Sequence, residues 1–184
     1  MPYPKQTPWG PSQNQKQIAE GIVSYSTASH GGFGLSQARL AEMPPDLRAF
    51  QPWAGEGWYE EDCDWAVVCL AFPQFFDEVQ YYFAIQALKG EYGRGIVTPE
   101  RQAKADAWLS RNTDKFTIGG CCTSGGDWEA SAYSLVNRDL RLIGLFQDYP
   151  PTAIGPAVFT RRQFESAALK SRVEQPASPI QAPA

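Results

Sequence analysis

Long apolar runs are missing from this sequence of 184 residues. The longest, from Trp65 to Phe72, is far shorter than the roughly 20 residues that cross a bilayer. The N-terminus has no stretch typical of a signal peptide. We therefore predict a cytoplasmic protein with no membrane partner. Its four cysteines are expected to stay reduced, because disulfides are rare in the cytosol.

Positive charge is also scarce, and the formal net charge is −4. A broad cationic surface that would neutralise phosphates is therefore not expected, and we predict no nucleic-acid partner. Gly93-Arg94-Gly95 and Gly119-Gly120 lack the spacing of a nucleotide-binding motif. Cys121-Cys122 does not have the spacing of a zinc site. We predict no cofactor and no metal.

The residues that are present predict an α+β fold, a single domain with several helices packed on a small antiparallel sheet. The length fits one core, and a hydrophobic share of 43% is ordinary for a globular protein. An extended arm is expected over residues 1–17, the domain over 18–174 and a disordered, Pro/Ala/Gln-rich tail over 175–184.

Local patterns predict the individual elements. Residues 21–27 alternate as in a strand, and Ser36 is a suitable N-cap for a short helix that ends before Pro44. The acidic residues 60–62 suit the first turn of a helix over the apolar segment that ends at Phe72, for which a buried strand is the competing interpretation. Further helices are expected to begin at Pro73, after Thr98 and after Thr160, and a hairpin is expected around residues 124–127.

The first candidate site surrounds His30, the only histidine. Ser26, Thr27 and Ser29 supply hydroxyls beside it, and the Gly-rich residues 30–34 predict a turn whose backbone amides could stabilise an anion. Histidine is the side chain that titrates near neutrality, which suits a general acid or base. The alternative is a structural role, in which the imidazole only makes hydrogen bonds.

The second candidate site is the acidic segment Glu60-Glu61-Asp62-Cys63-Asp64. Repulsion between neighbouring carboxylates can raise one pKa and create an acid/base pair or a divalent-metal site. The alternative is an acidic first turn that faces solvent. We do not expect Cys63 to be a nucleophile, since the surrounding carboxylates oppose its ionisation. If the two sites meet, the predicted catalytic residues are His30, Glu61 and Asp64, and the predicted binding residues are Ser29, Gly31, Gly32, Trp58, Tyr59, Glu60, Asp62 and Trp65.

Two motifs carry a resemblance to a known family. Ser26-Thr27-Ala28-Ser29-His30-Gly31-Gly32 and Trp58-Tyr59-Glu60-Glu61-Asp62-Cys63-Asp64-Trp65-Ala66 resemble an uncharacterised domain that recurs in proteins of plasmids, phages and other bacterial mobile elements. The similarity runs from Pro8 to Pro73 and is weak beyond it. It implies a setting rather than a reaction.

From that setting we expect an accessory protein that binds and inhibits or modulates a host protein, such as part of a bacterial defence system. Trp58, Tyr59 and Trp65 are expected to be exposed and to anchor that interface. The alternative is an enzyme, a hydrolase or transferase. In it His30 acts as general acid or base, Glu61 or Asp64 orients it or binds a metal, and the amides of residues 31–32 stabilise negative charge. A third interpretation has the two motifs packing only on each other.

Overall fold

A computed structural model describes residues 5–90, 92–137 and 140–175. The chain forms two compact units, residues 1–106 and 107–184. The described residues contain eleven strands in three sheets and seven α-helices. The predicted boundaries of arm, domain and tail stay predictions. Strands occur within the predicted arm, and all of the predicted tail except Gln175 lies outside the described residues.

Six strands belong to the first unit. Two of them form a small antiparallel pair, and the other four form an antiparallel sheet in the order β3-β4-β5-β6. The strand predicted over residues 21–27 is confirmed as β4. In chain order the strands are β1 (Gln6–Thr7), β2 (Gly10–Pro11), β3 (Asn14–Ala19), β4 (Ile22–Ser26), β5 (Gly31–Leu35) and β6 (Trp58–Glu60).

The turn predicted over residues 30–34 is wrong, because residues 31–34 lie in strand β5. Gly31 pairs with Ser26 on one side of β5, and Gly32 pairs with Glu60 on the other. Two neighbouring strands can therefore hold a glycine-rich segment extended, although glycine disfavours strands on its own. The chain reverses earlier, where the Thr27 N–H donates to the His30 carbonyl at 2.7 Å.

Five helices follow or interrupt these strands. Ser36 caps the first, accepting from the Arg39 N–H as predicted. The helix start predicted at residues 60–62 is wrong: Glu60 ends β6 and the helix begins after Asp64. Pro73 begins a short 3-10 turn, and the next helix starts after Asp77, which forms a capping box with Gln80. The helices are α1 (Gln37–Glu42), α2 (Pro45–Arg48), α3 (Trp65–Ala71), α4 (Glu78–Ala87) and α5 (Pro99–Ser110).

The core of the first unit lies where α3 and α4 pack on each other and α3 meets the sheet. Side chains from the sheet and from the helices are almost fully buried there. Each such aliphatic or aromatic side chain contributes about 1.5–3 kcal/mol on leaving water. The buried set includes Ile22, Val23, Tyr25, Leu40, Leu47, Tyr59, Val67, Val68, Tyr82 and Ile85.

The second unit is built on a five-stranded antiparallel sheet in the order β10-β7-β8-β9-β11. The predicted hairpin is confirmed, since Ser124 pairs with Asp127 around two glycines of positive φ. Its apolar cluster includes Phe116, Leu142, Phe146, Phe159 and Phe164. The elements are β7 (Lys115–Ser124), β8 (Asp127–Ser134), β9 (Arg141–Phe146), α6 (Pro150–Ile154), β10 (Phe159–Thr160), α7 (Arg161–Ala167) and β11 (Lys170–Glu174).

The predicted fold class, several helices on one small sheet, is therefore wrong. Strands outnumber helices in the described residues and occupy three sheets. Some of the strands lack the alternating apolar pattern that would predict them, because β5 is glycine-rich and Lys170-Ser171-Arg172 in β11 is polar and exposed. Pairing with neighbouring strands overrides these weak local preferences. None of the helices in the described parts of the chain has the length and apolar character that crossing a bilayer requires.

Candidate functional site

His30 stands at the end of the turn that joins β4 to β5. The Thr27 hydroxyl accepts from the His30 N–H at 3.1 Å and donates to the His30 carbonyl at 2.8 Å. One side chain thus satisfies both backbone groups of His30, as threonine commonly does in turns. The imidazole itself is 48% exposed and remains available to a ligand.

Glu60 and Glu61 converge on this imidazole from the end of β6. The His30 Nδ1 lies 3.6 Å from Glu60 Oε1 and 3.8 Å from Glu61 Oε1. Each carboxylate uses its second oxygen on a backbone amide: Glu61 Oε2 accepts from the Gly31 N–H, and Glu60 Oε2 accepts from the Asp62 N–H at 2.8 Å. The amides therefore orient both carboxylates toward His30.

These three side chains could hold a divalent ion. They offer one imidazole nitrogen and two carboxylate oxygens within 4.8 Å of one another. Mixed nitrogen and oxygen ligands suit ions such as Zn²⁺ or Mn²⁺. Glu60 is only 12% exposed, whereas His30 and Glu61 are open to solvent. The sequence-based expectation of no metal stays a prediction.

An open cleft of about 540 Å³ adjoins the His30 cluster. Its walls combine hydroxyl groups, aromatic rings, one imidazole and one carboxylate. That volume falls within the usual range for ligand sites. Six of the predicted site residues line it, namely Ser29, His30, Gly31, Gly32, Glu61 and Trp65, and the remaining lining residues are Ser24, Tyr25, Ser26, Thr27 and Phe33.

The amides of residues 31 and 32 do not form the anion site that the sequence suggested. The Gly31 N–H donates to the Glu61 carboxylate, and Gly32 lies within the sheet between Tyr25 and Glu60. An oxyanion hole needs N–H groups aimed at the reacting atom. Here the Gly31 amide instead holds the acidic segment against β5.

Asp64 takes a different position from the other predicted catalytic residues. Its side chain is 1% exposed, and it accepts hydrogen bonds from the Trp53 N–H at 2.9 Å and from the Tyr92 hydroxyl. A buried carboxylate with two donors is a stable structural element. Asp64 therefore joins two loops, whereas Glu60 and Glu61 face His30.

The three predicted aromatic anchors differ in exposure. Tyr59 is 2% exposed and donates its hydroxyl to Met43 Sδ at 3.5 Å, so its predicted exposure is wrong. Burial, followed by the Asp64 and Glu56 carboxylates, raises the pKa of Tyr59 to about 12. Trp58 is half-buried against Trp9, at a ring-centroid distance of 5.8 Å, and Trp65 is also half-buried, so the prediction that these two are exposed is wrong as well.

The cysteines are free thiols in this structure. Burial raises the pKa of Cys63, and the Asp62 and Asp64 carboxylates raise it further. This agrees with the expectation that Cys63 is no nucleophile, because a raised pKa lowers its thiolate fraction. Burial likewise raises the pKa of Cys69 to about 12.

Sequence reasoning missed Trp53 and Tyr92. Trp53 is 76% exposed, the most exposed of the large apolar side chains in the described residues, and Tyr92 is 48% exposed. The loop Pro52-Trp53-Ala54-Gly55 could have indicated that Trp53 is exposed, because a tryptophan there has no strand or helix face to pack on. The hydrogen bonds of Trp53 and Tyr92 to Asp64 join positions that are distant in sequence. No local sequence pattern could have predicted them.

Comparison with known proteins places the chain in a family. A family model described as "Domain of unknown function (DUF7007)" matches residues 2–115, and the chain belongs to this family. The match confirms the resemblance to an uncharacterised domain and extends it well beyond Pro73. No curated protein and no solved structure matches the chain. The mobile-element setting stays a prediction.

Proposed function

We propose that this chain is an accessory protein of a phage or another bacterial mobile element and binds a host protein in the host cytoplasm. By binding, it inhibits or modulates that protein, which we take to be part of a defence system. The setting rests on the motif resemblance. The acidic net charge of −4 suits a protein partner better than a nucleic acid.

The open cleft beside His30 is the observation that carries this proposal. It presents the Ser29 hydroxyl, the imidazole of His30 and the Glu61 carboxylate around a space of about 540 Å³. Polar groups of this kind fix the orientation of a bound group, while the rings of Phe33 and Trp65 supply apolar contact area.

Recognition fits these contacts better than acyl transfer does. The Gly31 N–H, which an oxyanion hole would use, donates to Glu61 inside the protein. A ligand in the cleft would therefore be contacted by side chains rather than by the Gly31 N–H. Side-chain contacts are enough for a binding site, whereas stabilisation of a transition state needs free hydrogen-bond donors at the reacting atom.

The test is a pull-down from bacterial host lysate with the purified chain and a His30→Ala/Glu61→Gln variant. The glutamine keeps an oxygen that can accept from the Gly31 N–H. We expect one host protein to be retained stoichiometrically and its recovery to fall by about tenfold or more in the variant. Glu42→Gln is the matched control, because Glu42 is also an exposed, ion-paired glutamate, on Arg39 rather than in the cleft. An empty pull-down, or equal recovery from all three proteins, would contradict the proposal.

The second candidate function is an acid–base enzyme, a hydrolase or transferase. The convergence of Glu60 and Glu61 on His30 Nδ1 favours it, since a carboxylate that orients an imidazole is a common catalytic pair. Asp64 is not part of this candidate, because its carboxylate is bonded to Trp53 and Tyr92.

A mass-spectrometric screen for altered metabolites or macromolecules in treated lysate tests this second candidate. We expect the product to depend on His30 and on Glu61 but not on Glu42. If the His30→Asn variant still forms the product, His30 is not the general acid or base of the reaction.

A further inference from the structure

His30, Glu60 and Glu61 bring three metal-binding side chains together beside the cleft. One donor atom from each of them lies within 4.8 Å of the other two. The set combines an imidazole nitrogen with two carboxylate oxygens, so it is more than a group of acidic side chains. Imidazole and carboxylate groups are common protein ligands of Zn²⁺ and Mn²⁺.

The distances between these donor atoms do not fit a hydrogen bond. His30 Nδ1 lies 3.6 Å from Glu60 Oε1 and 3.8 Å from Glu61 Oε1, whereas a hydrogen bond from nitrogen to oxygen measures about 2.7–3.2 Å. Ligands that lie about 2.0–2.2 Å from a zinc ion are about 3.3–3.6 Å apart in a tetrahedral arrangement. The observed separations are therefore close to those of atoms that share one ion, and a small side-chain movement completes them.

Backbone amides already orient both carboxylates for binding an ion. Glu61 Oε2 accepts from the Gly31 N–H, and Glu60 Oε2 accepts from the Asp62 N–H at 2.8 Å. The Oε1 atoms are left to face the imidazole. Outer hydrogen bonds of this kind orient the ligands of metal sites and raise their affinity. A site that is oriented in advance also loses less conformational entropy on binding.

The cleft leaves room for the further ligands that such an ion needs. His30 and Glu61 line this space of about 540 Å³, together with Ser29. An ion held by three protein ligands keeps at least one further coordination position, which water or a group of a bound molecule fills. The cleft is large enough for either.

We propose that His30 Nδ1, Glu60 Oε1 and Glu61 Oε1 bind one divalent transition-metal ion, with zinc preferred. Zinc binds a site of mixed nitrogen and oxygen ligands more tightly than manganese does. Magnesium, which prefers oxygen ligands in octahedral geometry, binds it least. This inference goes beyond the proposed function, since the ion binds the chain alone, and it competes with the sequence-based prediction of no metal.

The test is nitrogen-15 NMR of the labelled full chain during titration with zinc chloride. His30 is the only histidine, so the imidazole signals belong to one residue and report on this site. Zinc held by cysteine thiols alone would not coordinate the imidazole nitrogen. We expect the Nδ1 signal to shift and the shift to saturate at one equivalent of zinc, and excess magnesium to leave it in place.

Glu60→Gln and Glu61→Gln each remove one anionic ligand but keep an oxygen that can accept from the backbone amide. We expect each to weaken zinc binding by about tenfold or more, since losing even an outer partner of a metal ligand costs about 10–100-fold. Asp62→Asn is the matched control, because Asp62 is an exposed acidic neighbour outside the set of three. It removes the same charge and should bind zinc nearly as tightly as the wild type does.

Three results would overturn the inference: no zinc-dependent shift of His30 Nδ1, an equal shift with magnesium, or equal losses in Glu61→Gln and Asp62→Asn. The first result would mean that His30 only forms ion pairs with the two carboxylates. The lysate pull-down separates this failure from that of the proposed function. Zinc binding with no host protein captured supports the metal site alone, and a captured host protein without zinc binding keeps the proposed function and removes the metal site.

Discussion

Each of the two units carries a Gly-Gly pair in a sheet strand, and the two pairs serve different purposes. In β5, a Cβ at Gly32 would lie 2.2 Å from the Tyr59 carbonyl and 2.6 Å from Trp9 Cη2. In β7, a Cβ at Gly120 would meet nothing within 4 Å, and the pairing register shifts just before it. In the second pair it is Gly119 that packs closely, since a Cβ there would lie 2.3 Å from the Tyr133 ring. The two pairs therefore differ at their second glycine, which is tightly packed in β5 and follows a strand irregularity in β7.

The two units also differ in the polar groups that they bury. The first unit buries Asp64 and Thr7 with their hydrogen-bond partners, and it contains the cleft. The second buries Ser134, which accepts from the Asn137 N–H at 3.0 Å, and packs phenylalanines and small aliphatic side chains against its sheet. The family match at residues 2–115 covers the first unit from residue 2 onward and ends at Lys115, the first residue of β7. The shared chemistry of this family is therefore expected in the first unit.

The largest effect that would test this contrast is that of Gly32→Ala. The added methyl group meets a backbone carbonyl, and φ is +148° at this position, so overpacking and backbone strain add. We expect a loss of about 3 kcal/mol or more in the free energy of unfolding, measured by chemical denaturation. Gly120→Ala should change it by less than about 0.5 kcal/mol, and equal losses in the two variants would remove the distinction between the pairs.

A somewhat smaller effect is expected for Asp64→Ala. The substitution leaves the Trp53 N–H and the Tyr92 hydroxyl without their buried acceptor. Hydrogen bonds to a charged group contribute about 1.5–3 kcal/mol, so we expect a loss of about 2–3 kcal/mol on thermal or chemical unfolding. Asp62→Ala is the control, because Asp62 is exposed. Near-wild-type stability of Asp64→Ala would mean that Asp64 does not hold the two loops together.

The smallest effect concerns one ion pair in each unit. The hydrogen bond from Arg101 holds the pKa of Asp46 below its ordinary 3.8, so this pair stabilises the folded state above that pH and the contribution disappears as pH falls through the lowered pKa. Asp46 is 40% exposed, and solvent screening limits the contribution to less than about 1 kcal/mol. Asp46→Asn should therefore be slightly less stable than wild type at pH 7 and equal to it in acid.

Glu174 in the second unit provides the comparison for Asp46. Its hydrogen bond from Arg141 likewise lowers its pKa, so Glu174→Gln should also differ from wild type at neutral pH and converge in acid. Unfolding curves recorded across the acid range check both variants. A difference that persists at the lowest pH would show that packing rather than charge accounts for it.

Local patterns predicted those elements whose signals lie within a few residues. The caps Ser36 and Thr160 begin helices where expected, because a hydroxyl that accepts from an N–H three residues later is a short-range feature. The hairpin at residues 124–127 is predictable for the same reason, since two adjacent glycines suit a turn with positive φ. The His30 motif and the acidic segment could each be singled out from the sequence, and the fold brings His30 Nδ1 to 3.6 Å from Glu60 Oε1 and 3.8 Å from Glu61 Oε1.

Features that depend on long-range pairing could not be predicted. The segment that begins at Gly31 looks like a turn until both neighbouring strands are known. The acidic residues before Trp65 fit the start of a helix as well as they fit the end of a strand. Asp64 resembles its acidic neighbours in sequence, and only the fold separates it from them by burying it beneath Trp53 and Tyr92.

Through Trp9, the segment before β3 contacts the four-stranded sheet as well as forming the short strands β1 and β2. Its ring supports Gly32 and Trp58 from a position that does not line the cleft. Lys16 is exposed in β3, and cleavage after it by a trypsin-like protease would separate Trp9 from the covalent chain that carries the site. Cleavage at that one position would leave Trp9 held to Gly32 and Trp58 by packing alone.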